Sequence, residues 1–269
     1  EPEGRDTAPA VAWATLEIAR RYGEDAVVGF FPADPWIEDQ QAFQQTIHAA
    51  TEMASAQPSI VTLGITPSYP STGYGYIEQG EQTGTFGGFP VYKVTRFTEK
   101  PDRETAESFL ATGQFSWNSG IFIFRAGVVL EELRTHAPEI IGPLEEKGSA
   151  AYSQLPKKSI DYALMEKTQL TYVIPASFGW DDLGDWNAIE RLFKGDAPNV
   201  ELAHHVGMDT QGAIFYASGE DEVIVTIGLE DLVVVRDRNV TLIVKKDRTQ
   251  EIKQVLKKLQ DDPKLQDLL

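Results

Sequence analysis

Apolar positions along the chain follow two alternating rhythms. Residues 8–22 set Val11, Thr15, Ile18 and Tyr22 on one face at helical spacing. Ala26 to Phe31 follow as an unbroken apolar run, which suits a strand buried on both faces. A second helical stretch at 39–56 leads into a second such run, Ser59 to Ile65. This β-α-β alternation predicts an open, mixed, mostly parallel sheet with helices on its faces. Pro90 to Phe97 alternates like an antiparallel strand. Helices are predicted at 103–112 and 126–136, with the strand Ile121 to Phe124 between them. A helical segment at 158–166 precedes a strand at 169–174.

The rhythm changes after the linker-like run from Lys194 to Asn199. Short strands are predicted at 212–217, 222–227, 231–236 and 239–244, and a basic helix at 248–260 closes the chain. Their spacing is too irregular to define a repeat. The pattern therefore predicts an α/β domain over residues 1–196 and a small β-rich subdomain with a closing helix over 197–269.

Composition narrows the chemistry. The 269 residues include no cysteine, so no disulfide, thiolate metal site or cysteine nucleophile is available. A net charge of −17 argues against broad binding to nucleic acid or to anionic membranes. A nucleotide pocket stays open to it, because a pocket is a local field. No apolar run reaches membrane-spanning length and no signal peptide is visible, which points to the cytoplasm.

Several short stretches could carry chemistry. The opening run Glu1-Pro2-Glu3-Gly4-Arg5-Asp6-Thr7 is a polar loop entering a helix, with Thr7 placed to cap it and Pro9 in the first turn. Such a helix entrance suits a heterocycle edge or a phosphate, and equally an ordinary cap. Asp34 follows a buried strand at its carboxyl end, where open α/β sheets bind ligands. Asp181 and Asp182 lie between Trp180 and Trp186 beside Gly184. Carboxylates of this kind hold Mg²⁺, or cap turns and helices. Glu99-Lys100-Pro101 joins an acceptor for sugar hydroxyls to a cation for phosphate, and a solvated strand end explains it as simply. Gly73 and Gly75, beside Tyr74 and Tyr76, allow close backbone approach or mark a bulge. Asn118 could face a sugar or shape a turn, and the pair His204-His205 reads as structural or solvated.

Taken in order, the motifs are specific. Glu-Pro-x-Gly-Arg-Asp-Thr-Ala-Pro-Ala, Phe-Pro-Ala-Asp, Thr-Gly-Tyr-Gly-Tyr-Ile, Phe-Thr-Glu-Lys-Pro, Trp-Asn-Ser-Gly, Ser-Ile-Asp-Tyr-Ala-Leu-Met-Glu-Lys and Trp-Asp-Asp-Leu-Gly form one series over nearly the whole chain. The series resembles the mannose-1-phosphate guanylyltransferases, sugar nucleotidyltransferases also called GDP-mannose pyrophosphorylases. The resemblance implies a Rossmann-like nucleotidyltransferase domain. It also implies Mg²⁺-assisted transfer of GMP from GTP to mannose 1-phosphate, giving GDP-mannose and pyrophosphate. By matching position, Glu1, Arg5, Asp6 and Thr7 belong to the base-reading segment, and Asp34 and Asp182 to the metal. Tyr74, Gly75, Glu99 and Asn118 face the sugar, and Lys100 faces its phosphate. A homodimer is the candidate assembly.

The chain departs from the family pattern at Asp6, where Asn is usual, at Pro35, where His is usual, and at Asp185, where a small hydroxyl residue is usual. The family's glycine-rich triphosphate loop with its Arg, a following lysine and the first central strand are not among these residues, so the resemblance implies an N-terminal piece beyond Glu1. Two other readings compete: a binding or regulatory homologue without turnover, and a metal-dependent glycosyltransferase that would not release pyrophosphate. The second is disfavoured because the adjacent acidic pair lies late in the chain.

Overall fold

The computed structural model describes residues 1–262 and residue 265. The chain divides into two compact units, Glu1–Trp180 and Asp181–Leu269.

In the first unit, α1 (Thr7–Tyr22) is capped by Asp6, whose carboxylate accepts the Thr7 N–H at 2.7 Å. The cap is therefore Asp6, not Thr7. The Thr7 hydroxyl instead accepts the Ile160 N–H at 2.8 Å. The elements that follow are β1 (Val27–Phe30), β2 (Trp36–Ile37), α2 (Gln40–Ala56) and β3 (Ile60–Ile65). Then come β4 (Gly75–Phe86), β5 (Phe89–Glu99), α3 (Arg103–Thr112) and β6 (Phe115–Arg125). The unit continues with α4 (Ala126–His136), α5 (Pro138–Lys147), a π-helical turn (Asp161–Met165) and β7 (Thr171–Ala176), and the two-residue β8 (Trp180–Asp181) contains the division. Pro138 starts α5 as well as ending what precedes it, since a helix loses nothing by a missing N–H in its first turn.

The main sheet runs β1-β6-β3-β7-β5-β4. The α/β class and the mixed sheet agree with the sequence, but the pairing is less parallel than the β-α-β rhythm suggested. Among the described pairings of this sheet only β3 with β7 is parallel. The reason is β6. It runs antiparallel to β1, β3 and β4, and it begins at Phe115, so that Trp117-Asn118-Ser119-Gly120 is strand rather than a loop leading to one.

Side chains along β6 alternate between the two faces of the sheet. Phe122 and Phe124 join Val28, Ile60 and the buried faces of α1, α4 and α5. Ile121 and Ile123 join Val61, Leu63, Met53 of α2 and Phe109 of α3. Full burial of one such side chain contributes about 1.5–3 kcal/mol, so this one strand anchors both cores.

The second unit begins with α6 (Trp186–Phe193). Its strands are β9 (Val200–Leu202), β10 (His204–Met208), β11 (Ile214–Ala217), β12 (Val223–Ile227), β13 (Leu232–Asp237) and β14 (Val240–Lys245), and α7 (Ile252–Gln260) follows them. Strands β9, β11 and β13 stack in parallel, with Val200, Ile214 and Val233 in register and buried. β10 pairs with β12 in parallel, and β14 returns antiparallel to β13. Parallel stacking of short strands at uneven spacing is what hid the repeat in the sequence. His205 is structural: its ring contacts Glu201 at 2.7 Å and Thr226 at 2.8 Å and stacks on Phe215.

Gly64 of β3 lies opposite Asn118 of β6, and a Cβ there would meet Val173 at 2.6 Å and Ser116 at 2.7 Å. Neither neighbour is the end of a long, flexible side chain. Gly64→Ala is expected to lower stability by about 1–3 kcal/mol in urea unfolding, through overpacking between three strands.

Candidate active site

The site in the first unit is built where β4, β5 and β6 meet. Gly75 opens β4 and pairs with Glu99, the last residue of β5. A Cβ on Gly75 would lie 2.5 Å from a Glu99 carboxylate oxygen and 3.4 Å from the Asn118 Cβ. The glycine is thus what lets the Glu99 side chain cross β4. Glu99 is mostly buried, and its other oxygen binds the Lys100 ammonium at 3.0 Å. Lys100 has a left-handed φ of 47°, and its N–H donates to the Tyr74 carbonyl at 3.2 Å. That turn sends its side chain outward, 62% exposed.

Asn118 sits half-buried on β6. Its carbonyl oxygen accepts the Gly120 N–H at 3.1 Å, and its amide donates to Asp161 at 3.0 Å. Asp161 is the site residue that sequence reasoning missed. It is part of the Ser-Ile-Asp-Tyr string, but nothing in a local pattern ties a helical turn to the middle of a strand 43 residues earlier. Burial, then the charge of Glu99, pushes the Asp161 carboxyl up to about 6, while the Asn118 bond and Lys100 act in the opposite direction. Lys100 is held above its ordinary value, chiefly by its bond to Glu99.

Tyr74 is a core aromatic. Its ring packs on Trp117 and Trp180 at 4.9 and 5.5 Å, and Tyr69 shares a hydroxyl contact with it at 3.2 Å. Its backbone carbonyl receives the Lys100 N–H.

The opening loop is braced against residues 152–160. Arg5 donates to the carbonyls of Ser153 and Leu155 and pairs with Glu3. Tyr152 donates to the Glu1 carboxylate, and the Ala8 and Lys158 N–H groups bond Lys158 and Arg5 carbonyls at 3.1 and 3.3 Å. Asp6 takes a φ of 68°. The side chains of Glu1, Arg5, Asp6 and Thr7 thus shape the loop before any ligand arrives.

Asp34 lies exposed in the loop after β1, with no hydrogen bond or ion pair among the described residues. Backbone bonds from Glu38 and Asp39 to Gly179 and Phe178 fix the far end of that loop at 3.0 and 2.9 Å.

In the second unit the two adjacent aspartates differ. Asp181 is buried, pairs with Arg191 at 2.6 Å and accepts the Leu183 N–H at 3.0 Å. Asp182 accepts the Gly184 N–H at 2.9 Å and is only half-buried. Asp185 caps α6 through the Ala188 N–H at 3.1 Å, so its carboxylate does what a small hydroxyl would do there. Among the described residues no group of three or more acidic or histidine side chains is placed to hold a metal. No helix among them is long and apolar enough to cross a membrane. The second unit also carries an apolar groove of about 390 Å³ between Leu183, Trp186, Ile189, Ile252 and Leu256, with none of the site chemistry described above.

Residues 1–198 match the family model for nucleotidyl transferases. The chain belongs to the nucleotidyl transferase family. Residues 203–259 match the mannose-phosphate isomerase/GMP-like β-helix domain, in keeping with the parallel stacks of β9–β13. The chain is 36% identical to mannose-1-phosphate guanylyltransferase of Escherichia coli, over 97% of its own length and 57% of the relative's. It is 40% identical to the alginate biosynthesis protein AlgA of Pseudomonas aeruginosa, over 96% and 56%. It therefore spans a little over half the length of these curated relatives. Among solved structures, one from Thermus thermophilus, described as a mannose-1-phosphate geranyltransferase, is 35% identical with a TM-score of 0.86, covering 97% of this chain and 77% of that one.

Because the folded Asp161 holds its proton up to about 6, against about 3.9 for a free aspartate, the native state binds the extra proton between those values. Its contribution favours folding below the lower value and is lost as pH rises through the upper one. Asp161→Asn, which keeps an acceptor for Asn118, should gain stability relative to the parent as pH rises from ~4 to ~7, read from paired urea midpoints. A constant difference across that window would contradict the assignment.

Proposed function

We propose that this protein transfers GMP from GTP to mannose 1-phosphate, releasing pyrophosphate and forming GDP-mannose. The observation that carries the reading is the convergence of Glu99, Lys100 and Asn118 around Gly75, in a chain of the nucleotidyl transferase family. The relatives named mannose-1-phosphate guanylyltransferase supply the substrate class.

The chemistry follows from what each group offers. Glu99 accepts hydrogen bonds from sugar hydroxyls, and the Asn118 amide has a second N–H beyond the one given to Asp161. The exposed Lys100 head neutralises the sugar phosphate. A phosphate oxygen of mannose 1-phosphate attacks the α-phosphorus of GTP, a new P–O bond forms, and the bond to the departing pyrophosphate breaks in line. No protein nucleophile takes part, so positioning and charge compensation carry the rate. The braced loop Glu1–Thr7 is assigned to the guanine side, with Arg5 holding the loop's shape through its two backbone carbonyls.

Asp34 of the first unit and Asp182 of the second are each proposed as a ligand for a divalent cation, since each offers carboxylate oxygens of the kind Mg²⁺ takes. Asp34 has no competing partner among the described residues. Of the acidic pair, Asp181 is buried and bound to Arg191, and Asp182 is the more exposed carboxylate. When bound, Mg²⁺ supplies compensation for phosphate charge.

The test is pyrophosphate release from GTP with mannose 1-phosphate, with and without chelator. Lys100→Met should lower kcat/KM on the order of 10²-fold. Gly75→Ala should keep the fold, because the Glu99 carboxylate can swing aside, but should raise the KM for mannose 1-phosphate roughly 10–100-fold by losing a charge-assisted bond. Release with another sugar phosphate but not with mannose 1-phosphate would sink the substrate assignment. Tight GDP-mannose binding without turnover would favour the non-catalytic reading.

A further inference from the structure

Asp161 lies at the junction of two parts of the first unit that the proposed reaction needs together. On one side its carboxylate receives the Asn118 amide at 3.0 Å and faces the Glu99–Lys100 pair closely enough for both charges to act on it. On the other side its own turn is tied to the opening loop. The Ile160 N–H donates to the Thr7 hydroxyl at 2.8 Å, and the Ala8 and Lys158 N–H groups close a short backbone ladder beside it. The turn is a π-helix, a geometry that recurs at functional sites because it redirects a side chain. Its next residues, Ala163, Leu164 and Met165, are buried against α4, so the turn cannot drift from the sheet.

We propose that Asp161 is a positioning residue for the sugar phosphate, acting through Asn118, and that the segment 158–161 joins the nucleotide side of the site to the sugar side. The proposal rests on the functional reading above. An Asn118 side chain with a free amide could rotate and exchange its donor and acceptor ends. The Gly120 N–H fixes the carbonyl end and Asp161 fixes the amide end, so a bound hydroxyl meets a donor of defined direction. The carboxylate also acts on Lys100 through its charge, and Lys100 and Glu99 are the charges that bear on it. α1 reaches this turn with the Thr7 hydroxyl, and α4 with apolar side chains.

The experiment compares the parent protein with Asp161→Ala and Asp161→Asn. Steady-state constants are measured for both substrates across pH, and the Asn118 side-chain amide is followed by NMR. In the parent, the Asn118 amide protons should be inequivalent and should shift with a midpoint near 6, where Asp161 titrates. Asp161→Ala should erase that shift and raise the KM for mannose 1-phosphate at least roughly tenfold, with the KM for GTP changed less than about threefold. Asp161→Asn, which still accepts from Asn118, should recover most of the KM but lose the pH inflection. Equal rises in both KM values for the alanine variant, with no recovery in the asparagine variant, would mean a merely structural role and overturn the proposal. So would an unchanged pH profile in Asp161→Asn. Absence of turnover by the parent would instead overturn the functional reading, and the clamp would then stand or fall on the NMR shift and on direct binding of mannose 1-phosphate.

Discussion

Everything in the first unit depends on β6 being shared. β3 pairs with it from Trp117 to Phe124, while its first residues also pair with β4 and its last with β1. The register between β3 and β6 shifts between Thr62 and Gly64, which leaves Gly64 facing Asn118 at an irregularity of the ladder. There the chain has no room for a Cβ on β3, and the Asn118 amide carries bonds that a regular ladder would have carried. The polar residue of the candidate site is thus part of how the sheet closes. A change made to repack that point would disturb the site, and a change made to the site would loosen the sheet.

Close approach is the second constraint. Gly75 is needed because Glu99, directly across the β4–β5 pair, folds its carboxylate over the glycine rather than away from it. The left-handed Lys100 then turns the next side chain out. One missing Cβ and one uncommon φ produce an acceptor and a cation side by side, one buried and one exposed, from neighbouring residues on a strand that would ordinarily point them to opposite faces.

Most of this was legible in order but not in depth. Helices and strands followed from periodicity because α1, α2 and β3 bury one face or both in the ordinary way. The strand-end residues Asp34, Gly75, Glu99 and Lys100 stood out as candidates because glycine, carboxylate and lysine at such ends are informative, and of these the structure pairs Gly75 with Glu99 and Glu99 with Lys100. What could not be read was anything set by distant pairing. The antiparallel insertion of β6, the Asp161–Asn118 bond and the bracing of Arg5 by carbonyls about 150 residues away have no local signature. The same limit applied to Asp181 and Asp182, alike in sequence, of which Asp181 is buried and paired with Arg191 while Asp182 is half-buried. In the second unit the strands alternate clearly, but parallel stacking joins residues by rung rather than by spacing, as Val200, Ile214 and Val233 show.

The net charge of −17 first looks at odds with the polyanionic substrates proposed above. The conflict is one of range. Exposed charges are screened beyond about 8 Å at physiological ionic strength, so the surface as a whole slows approach more than it weakens a complex. In the proposed site Glu99 suits the sugar rather than the phosphates, since hydroxyl groups need acceptors, while Asp161 accepts from the Asn118 amide. Lys100, drawn between those two, keeps its charge firmly while its head stays in solvent. In the proposed reading Glu99 therefore does not oppose binding: it pairs with Lys100, and the ligand's hydroxyl end meets Glu99 and Asn118 while its phosphate end meets the Lys100 ammonium.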